Sequence, residues 1–356
     1  MLWFVGTGVD GYRGLSIVAV DVLRKCDVVY IERFTSSLSE ADIQGLNALL
    51  QMHPQPVQRW FVEDGRDILE TARSKDVALV TYGDPLIATT HNELRSRAAK
   101  NSIKTAILHS ASGIASTIGE SGLHAYKFGR MVTMMSERHS AVTVYNTIFQ
   151  NLLAGSHTLI LTEYRHDDDS KEPFFLNPST VFEMLLDAEQ THKHHILSED
   201  TFAVIASRVG RQDQKIISGK IRSLMRLEFA TGPHTVIIPG TIHFTEMEAL
   251  TFLTENIDNP TDNSQSANRI EAQMIERYAP KAKKAVEETR RVIHEDSISK
   301  KGVSETLENA ECYIADAQQF LRQGKFELAV LSIGYAEGLI DALRYQMGIN
   351  PWNVTR

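Results

Sequence analysis

The chain of 356 residues is about twice the usual length of a single domain, so two or three domains are expected. Its 42% hydrophobic and 23% charged residues are ordinary globular composition, which excludes disorder, collagen-like repeats and coiled-coil bias for the chain as a whole. The formal charge of −8 is uneven: residues 269–356 hold 13 basic and 13 acidic side chains, so the preceding residues carry the whole acidic excess, which argues against extended nucleic-acid binding.

Met1-Leu2-Trp3-Phe4-Val5-Gly6 lacks a basic leader and turns polar at once, so it does not read as a signal peptide. Apolar runs such as Leu159-Ile160-Leu161 are too short for a transmembrane helix. Cys26 and Cys312 alone cannot make a disulfide framework or a Cys-rich zinc site, and a reduced, cytoplasmic protein is expected.

In chain order, strands are predicted at Leu2–Gly6, Asp27–Ile31, Val77–Tyr82, Thr105–His109, Thr158–Thr162, Thr201–Ser207 and His234–Pro239. They are rich in Val, Ile and Leu and mostly lack polar alternation, as strands buried on both faces do. Helices are predicted between them at Ser16–Lys25, Glu40–Leu50, Asp64–Ser74, His91–Asn101, Ser140–Leu153, Pro178–Glu189 and Thr241–Glu255. Capping residues Ser16 and Asn177 support two of these starts. The alternation implies α/β lobes with parallel sheets, one over 1–110 and a second over 111–258. Residues 259–268, polar and proline-containing, read as a linker. Residues 269–356 read as an all-α domain of about three helices, broken near Ile298–Gly302 and at Gly324. An apolar stripe is expected there at Leu328, Leu331, Tyr335, Leu339 and Leu343.

Four motifs carry candidate chemistry. Gly6-Thr7-Gly8-Val9-Asp10-Gly11 matches a dinucleotide fingerprint literally, with Glu32 where a ribose-binding acid would stand. The helix starts only at Ser16, too late for a pyrophosphate to dock on its N-terminus, but the glycines still let a ligand approach the backbone. Tyr82-Gly83-Asp84-Pro85-Leu86-Ile87-Ala88-Thr89-Thr90-His91 leaves a buried strand at its carboxyl end, where open α/β sheets place ligands. Pro85 holds Asp84 in a fixed extended pose, although an ordinary Asp-Pro turn reads the same way. Ser112-Gly113 opens a small-residue helix and could offer N–H groups or a hydroxyl to a carboxylate. His234 begins a strand bracketed by turns and faces either a crevice or the core.

The stretches Leu2–Gly8, Tyr82–His91, Gly122-Leu123-His124-Ala125-Tyr126-Lys127-Phe128-Gly129 and Pro233–Gly240 resemble the archaeal diphthine synthases. These enzymes belong to the tetrapyrrole-methylase-like (class III) S-adenosylmethionine methyltransferases. The resemblance spans residues 1–256, and the final 88 residues resemble a short archaeal helical domain of unassigned function. It implies two α/β lobes with the donor, S-adenosyl-L-methionine, in the cleft between them, and a homodimer. It also implies methylation of the amine of 3-carboxy-3-aminopropyl-histidine on translation elongation factor 2, in diphthamide biosynthesis. The implied donor-binding residues are Val9, Asp84, Ile87, Ser112, Gly113, Thr162, Val209 and His234. Gly113 and Thr162 stand where bulkier apolar residues are common in such enzymes, which bears on pocket shape.

Methyl transfer from a sulfonium needs a neutral amine, in-line geometry and exclusion of water rather than a nucleophile or metal, so no catalytic residue and no metal ligand is assigned. The proton released passes to His234 or to solvent. Asp84 is expected to anchor the cationic donor. Lys127, Arg130, Arg208 and Arg211 are candidates for pairing with the acceptor's carboxylate. His192-Lys193-His194-His195 reads as an exposed loop or a metal site, and Asp167-Asp168-Asp169 lacks the spacing of a calcium loop. Lys281, Lys283, Lys284, Arg290 and Arg291 are interleaved with Glu287 and Glu288, as on a solvated helix face. No membrane or nucleic-acid partner is expected. Two other functions are open to this sequence: a class III methyltransferase acting on a tetrapyrrole such as precorrin, and a translation-associated binding adaptor.

Overall fold

The computed structural model describes residues 1–34, 38–166, 173–263, 270–295 and 300–350. The chain forms two compact units, Met1–Ala267 and Asn268–Arg356. The Asp167-Asp168-Asp169 run, positions 264–268 of the expected linker and Ile298 lie outside the described residues.

The first unit opens with β1 (Leu2–Gly6), α1 (Ile17–Leu23), β2 (Val28–Glu32), α2 (Glu40–Leu50), β3 (Gln55–Val57), α3 (Arg59–Asp64) and α4 (Arg66–Ala72). It continues through β4 (Val77–Thr81), α5 (His91–Lys100), β5 (Thr105–Leu108) and α6 (Gly113–Ser121). The five strands make an all-parallel sheet of order β3-β2-β4-β1-β5. Val77–Thr81, buried throughout, is the central strand, and apolar residues on both its faces bury against helices. The helix expected at 64–74 is α4, which begins at Arg66, and an unexpected helix, α3, precedes it; Gly65, with a left-handed φ of 60°, separates the two.

The second half of this unit contains β6 (Val132–Met134), α7 (Arg138–Leu153), β7 (Thr158–Thr162), β8 (Tyr164–Arg165) and β9 (Phe174–Phe175). It then adds α8 (Pro178–His192), β10 (Phe202–Ser207), β11 (Lys215–Lys220), α9 (Ile221–Leu224), β12 (His234–Ile238), α10 (Phe244–Phe252) and β13 (Glu255–Asn256). Its six-stranded sheet has order β13-β11-β10-β12-β7-β6. The parallel arrangement expected for both sheets holds only in the first. In the second, β10 pairs antiparallel with β11 and β12, and β12 with β7. For β10 and β11 the cause is local: a short connection joins them, which can only reverse the chain. Tyr145, Phe182, Ile205 and Val236 are among the residues that form the core on one face of this sheet.

The second unit consists of α11 (Ile270–Glu295), α12 (Lys300–Arg322) and α13 (Phe326–Gln346). Gly324, with φ of 71°, ends α12 as expected, whereas Gly302 lies inside that helix. The stripe that packs is not the expected one. Ala329, Ile333, Ala336, Ile340 and Leu343 are buried against Ile275, Val286, Leu307 and Ile314. Leu331 and Tyr335 stay more than half exposed, and of the expected stripe only Leu343 is buried and Leu339 partly so. The small alanines let the helices approach closely, so the face carrying the larger side chains is left outside.

Candidate active site

The glycine-rich start follows β1 as a tight passage rather than a phosphate loop. A Cβ on Gly6 would lie 2.4 Å from the Gly83 carbonyl oxygen, so only glycine lets these two turns meet. The turns are then tied by paired backbone bonds between Gly8 and Gly83 of 3.0 and 3.1 Å. After a short helical turn at Gly11–Gly14, α1 begins behind Ser16, whose hydroxyl accepts the Ala19 N–H. Glu32, the expected ribose-binding acid, is fully buried with His91 Nε2 3.9 Å away, and does not line the cleft.

A cleft of about 310 Å³ opens where β4 and β5 leave the first sheet and β7, β10 and β12 meet the rim of the second. That volume is within the ordinary range for a small-molecule site. Asp84, Ile87, Ser112, Gly113, Thr162, Val209 and His234 all line it. Val9 does not: it packs on Gly210, where a Cβ would meet Val9 Cγ2 at 2.1 Å, and its carbonyl accepts the Tyr82 hydroxyl at 2.7 Å. Through that bond Val9 places Tyr82, which lines the cleft.

Asp84 is only 6% exposed, and its carboxylate is fully engaged. Oδ1 accepts the Leu86 N–H at 3.0 Å, while Oδ2 meets His109 Nδ1 at 2.8 Å and the Ser110 N–H at 3.3 Å. These bonds fix the loop after β4 to the loop after β5. Behind it, Thr89 Oγ1 and the buried His91 ring both bond the Pro85 carbonyl. The GDPLIATTH block is thus a rigid wall built around one proline.

On the opposite wall, Thr162 donates to the His234 carbonyl at 2.8 Å, joining β7 to β12. The His234 ring bonds the Ser207 hydroxyl at 2.8 Å and a backbone group of Ala230. Burial pushes His234 down to about 4, so the ring is neutral near pH 7. Tyr164, at the cleft's edge, is pushed up to about 12 by burial, and its hydroxyl stays protonated. Glu163 is a cleft residue absent from the sequence reading. It is 7% exposed and accepts the Ser136 N–H at 2.7 Å. Its position one step beyond the end of a buried strand was a readable signal.

The four candidate acceptor cations separate. Lys127 bonds the Thr241 carbonyl and Glu246, a fully buried carboxylate that also takes the His124 N–H and His157 Nε2. Burial works against the charge on Glu246, but those bonds outweigh it and hold the group down at about 2. Lys127 is therefore a brace between the 122–129 block and α10, and neither it nor Arg130 lines the cleft. Arg208 and Arg211 line a second cavity beside it. His192 and His194 stack on Tyr145, and His194 also on Phe149, and among the described residues no His, Cys, Asp or Glu cluster could hold a metal ion. Among them, too, no helix is long and apolar enough to cross a membrane.

The cleft suits a cationic, nucleoside-sized donor. A Cβ on Gly113 would meet nothing within 4 Å, and one on Gly83 nothing nearer than 3.8 Å, so backbone is presented bare to a ligand. Ile87, Val209 and Leu161 offer apolar surface, and Asp84 and Glu163 contribute negative charge.

Residues 1–225 match the family described as Tetrapyrrole (Corrin/Porphyrin) Methylases, and residues 277–349 match a family described as a protein of unknown function, DUF357. Diphthine synthase of Methanocaldococcus jannaschii is 34% identical over 260 residues, covering 72% of this chain and all of the relative. Its counterpart from Methanothermobacter thermautotrophicus is 32% identical over 252 residues, covering 70% of this chain and 94% of the relative. A crystal structure of diphthine synthase superposes with a TM-score of 0.63 at 28% identity, over 72% of this chain and 96% of that one. The chain belongs to the tetrapyrrole methylase family, and its two-sheet body is a methyltransferase related to the diphthine synthases.

Proposed function

We propose that this protein is a diphthine synthase of archaeal type. It moves methyl groups from S-adenosyl-L-methionine to the amine of 3-carboxy-3-aminopropyl-histidine on translation elongation factor 2, a step of diphthamide biosynthesis. The reading rests above all on seven of the eight implied donor residues lining one cleft between two sheets. The acceptor is a translation factor, so the enzyme works in the cytoplasm. It works as a homodimer, a reading supported by the exposed apolar residues Phe244, Phe252 and Leu253 on and after α10, which continue past His243 and His124 to Tyr126.

The bound donor supplies an electrophilic methyl group next to a positively charged sulfur. The protein's part is placement. Gly83, Ser112 and Gly113 present backbone, Ile87 and Val209 exclude water, and Asp84 and Glu163 favour a cation over the neutral product. Holding an amine in line with the methyl group can account for ~7–11 kcal/mol of the barrier. His234 is too weakly basic to collect the amine's proton near neutral pH, so the proton leaves to solvent.

Mass spectrometry of elongation factor 2 carrying the precursor residue, after incubation with this protein and S-adenosyl-L-methionine, tests the reading directly. Whole-methyl mass increments are expected, and an unmodified factor beside a folded, donor-binding enzyme refutes it. Calorimetry on Asp84→Ala tests the anchoring role, which a donor affinity within about twofold of the parent would rule out.

A further inference from the structure

A second cavity of about 220 Å³ adjoins the donor cleft and shares Tyr164 and Pro233 with it. Among the described residues, its wall carries three guanidinium groups, Arg33, Arg208 and Arg211, against one carboxylate, Glu40. The three cations are not equivalent. Arg211 is spent: both terminal nitrogens bond the buried Asp42, at 2.9 and 2.8 Å. Arg33 gives one nitrogen to Glu40, whose side chain is 69% exposed and so shares its charge with water. Arg208 bonds the exposed Asp213 through Nε and the Gly232 carbonyl through Nη1, leaving Nη2 without a partner among the described residues. Arg208 also holds a left-handed φ of 53°, a conformation costly for a side chain with a Cβ. Such outliers concentrate where a side chain must be aimed.

We propose that this cavity is the subsite for the acceptor's carboxylate, with Arg208 as its principal ligand and Arg33 as the second cation. The inference rests on the diphthine synthase reading, in which amine and carboxylate share one carbon of the acceptor. An amine in the donor cleft then leaves its carboxylate to pass Tyr164 into the adjoining cavity. A guanidinium fork matches a carboxylate in shape and charge, and the partly enclosed site strengthens the bond. The carboxylate contact fixes the rotation of the amine, so the subsite selects the carboxy-aminopropyl side chain against simple amines such as lysine.

The test uses the full-length enzyme, elongation factor 2 bearing the precursor, and two inhibitors: the free carboxy-aminopropyl-imidazole amino acid and its carboxamide. If the unaltered enzyme binds donor but does not methylate the factor, the functional reading fails independently of the subsite. With activity present, Arg208→Gln and Arg33→Gln should each raise KM for the factor at least tenfold, with donor affinity within twofold. Arg208→Lys should recover part of the loss. The unaltered enzyme should prefer the acid over the carboxamide at least tenfold, and Arg208→Gln should reduce that preference below threefold. Equal inhibition by the two compounds in the unaltered enzyme, or unchanged KM in both variants, overturns the proposal. A matching loss of donor affinity in the variants would make the arginines structural and overturns it as well.

Discussion

Replacing Arg211 with Met removes one half of a strut between the loop after β10 and helix α2, positions 169 residues apart in sequence. The pair is bidentate, and its side chains are 17% and 5% exposed. Breaking a buried pair typically costs about 3–5 kcal/mol because the remaining charge is stranded. Here Asp42 keeps the Ser39 N–H and hydroxyl, the capping box of α2, so the low end applies, about 3 kcal/mol. For a unit of this size that is a fall in Tm of roughly 6–12 °C. Urea unfolding followed with calorimetry measures it. The double variant Arg211→Met/Asp42→Asn should recover most of the loss, because it removes the stranded charge and keeps an acceptor for the Ser39 N–H. Burial works to raise the Asp42 carboxyl, but hydrogen bonds from Arg211 and Ser39 outweigh it and hold the group below its ordinary range. The pair's contribution is therefore complete above the unfolded-state value and disappears as pH falls through the folded one, so the single variant should approach the parent in acid. A loss under 1 kcal/mol at pH 7, or a double variant as weak as the single, refutes the reasoning.

Gly6→Ala should destabilise the first unit by more than 2 kcal/mol, since its Cβ meets the Gly83 carbonyl at 2.4 Å and Pro85 Cδ at 2.9 Å; thermal denaturation checks this. Ile333→Ala should cost the helical unit roughly 2–5 kcal/mol while Leu331→Ala stays within about 0.5, and the reverse order in urea melts would restore the stripe expected from sequence. His234 has an ordinary value of 6.5 and a folded value of about 4, so the unfolded chain takes up its proton first. Stability should fall as pH drops between those values, by up to roughly 3 kcal/mol from this group, and stability curves of His234→Gln should lack that part of the slope.

Four strands of the first sheet were legible as short runs rich in Val, Ile and Leu, whereas the edge strand Gln55–Val57, exposed at its first two residues and interrupted by a proline, carried no such run. The second was harder for a physical reason. Lys215–Lys220 carries Ser218 and Gly219 at buried positions, and Ser218 is satisfied there by Thr254 and Asn256. Polarity at those positions interrupts the apolar run that marks the other strands. In the helical unit, residues three and four apart line more than one face, and the larger Leu331 and Tyr335 mark one stripe while the alanines of another make the contacts. At the cleft, motif residues at strand ends were readable because the chain itself delivers them there. The arginine cavity was not, because its wall is assembled from residues far apart in sequence, such as Arg33, Glu40, Tyr164, Phe175, Arg208 and Gly232, and only the folded chain shows that Asp42 has already claimed Arg211.

One consequence follows from the antiparallel pairing of β7 with β12. The polypeptide departs the ligand-facing rim at Thr162 and comes back to the same spot at His234, where a single hydroxyl-to-carbonyl bond closes the excursion. Between them, Glu163, Tyr164, Ala206 and Val209 return to line the same cleft. Changes there that spare those residues and β10 leave the donor's wall standing, so recognition of a new acceptor can evolve beside methyl-group chemistry that is inherited unchanged.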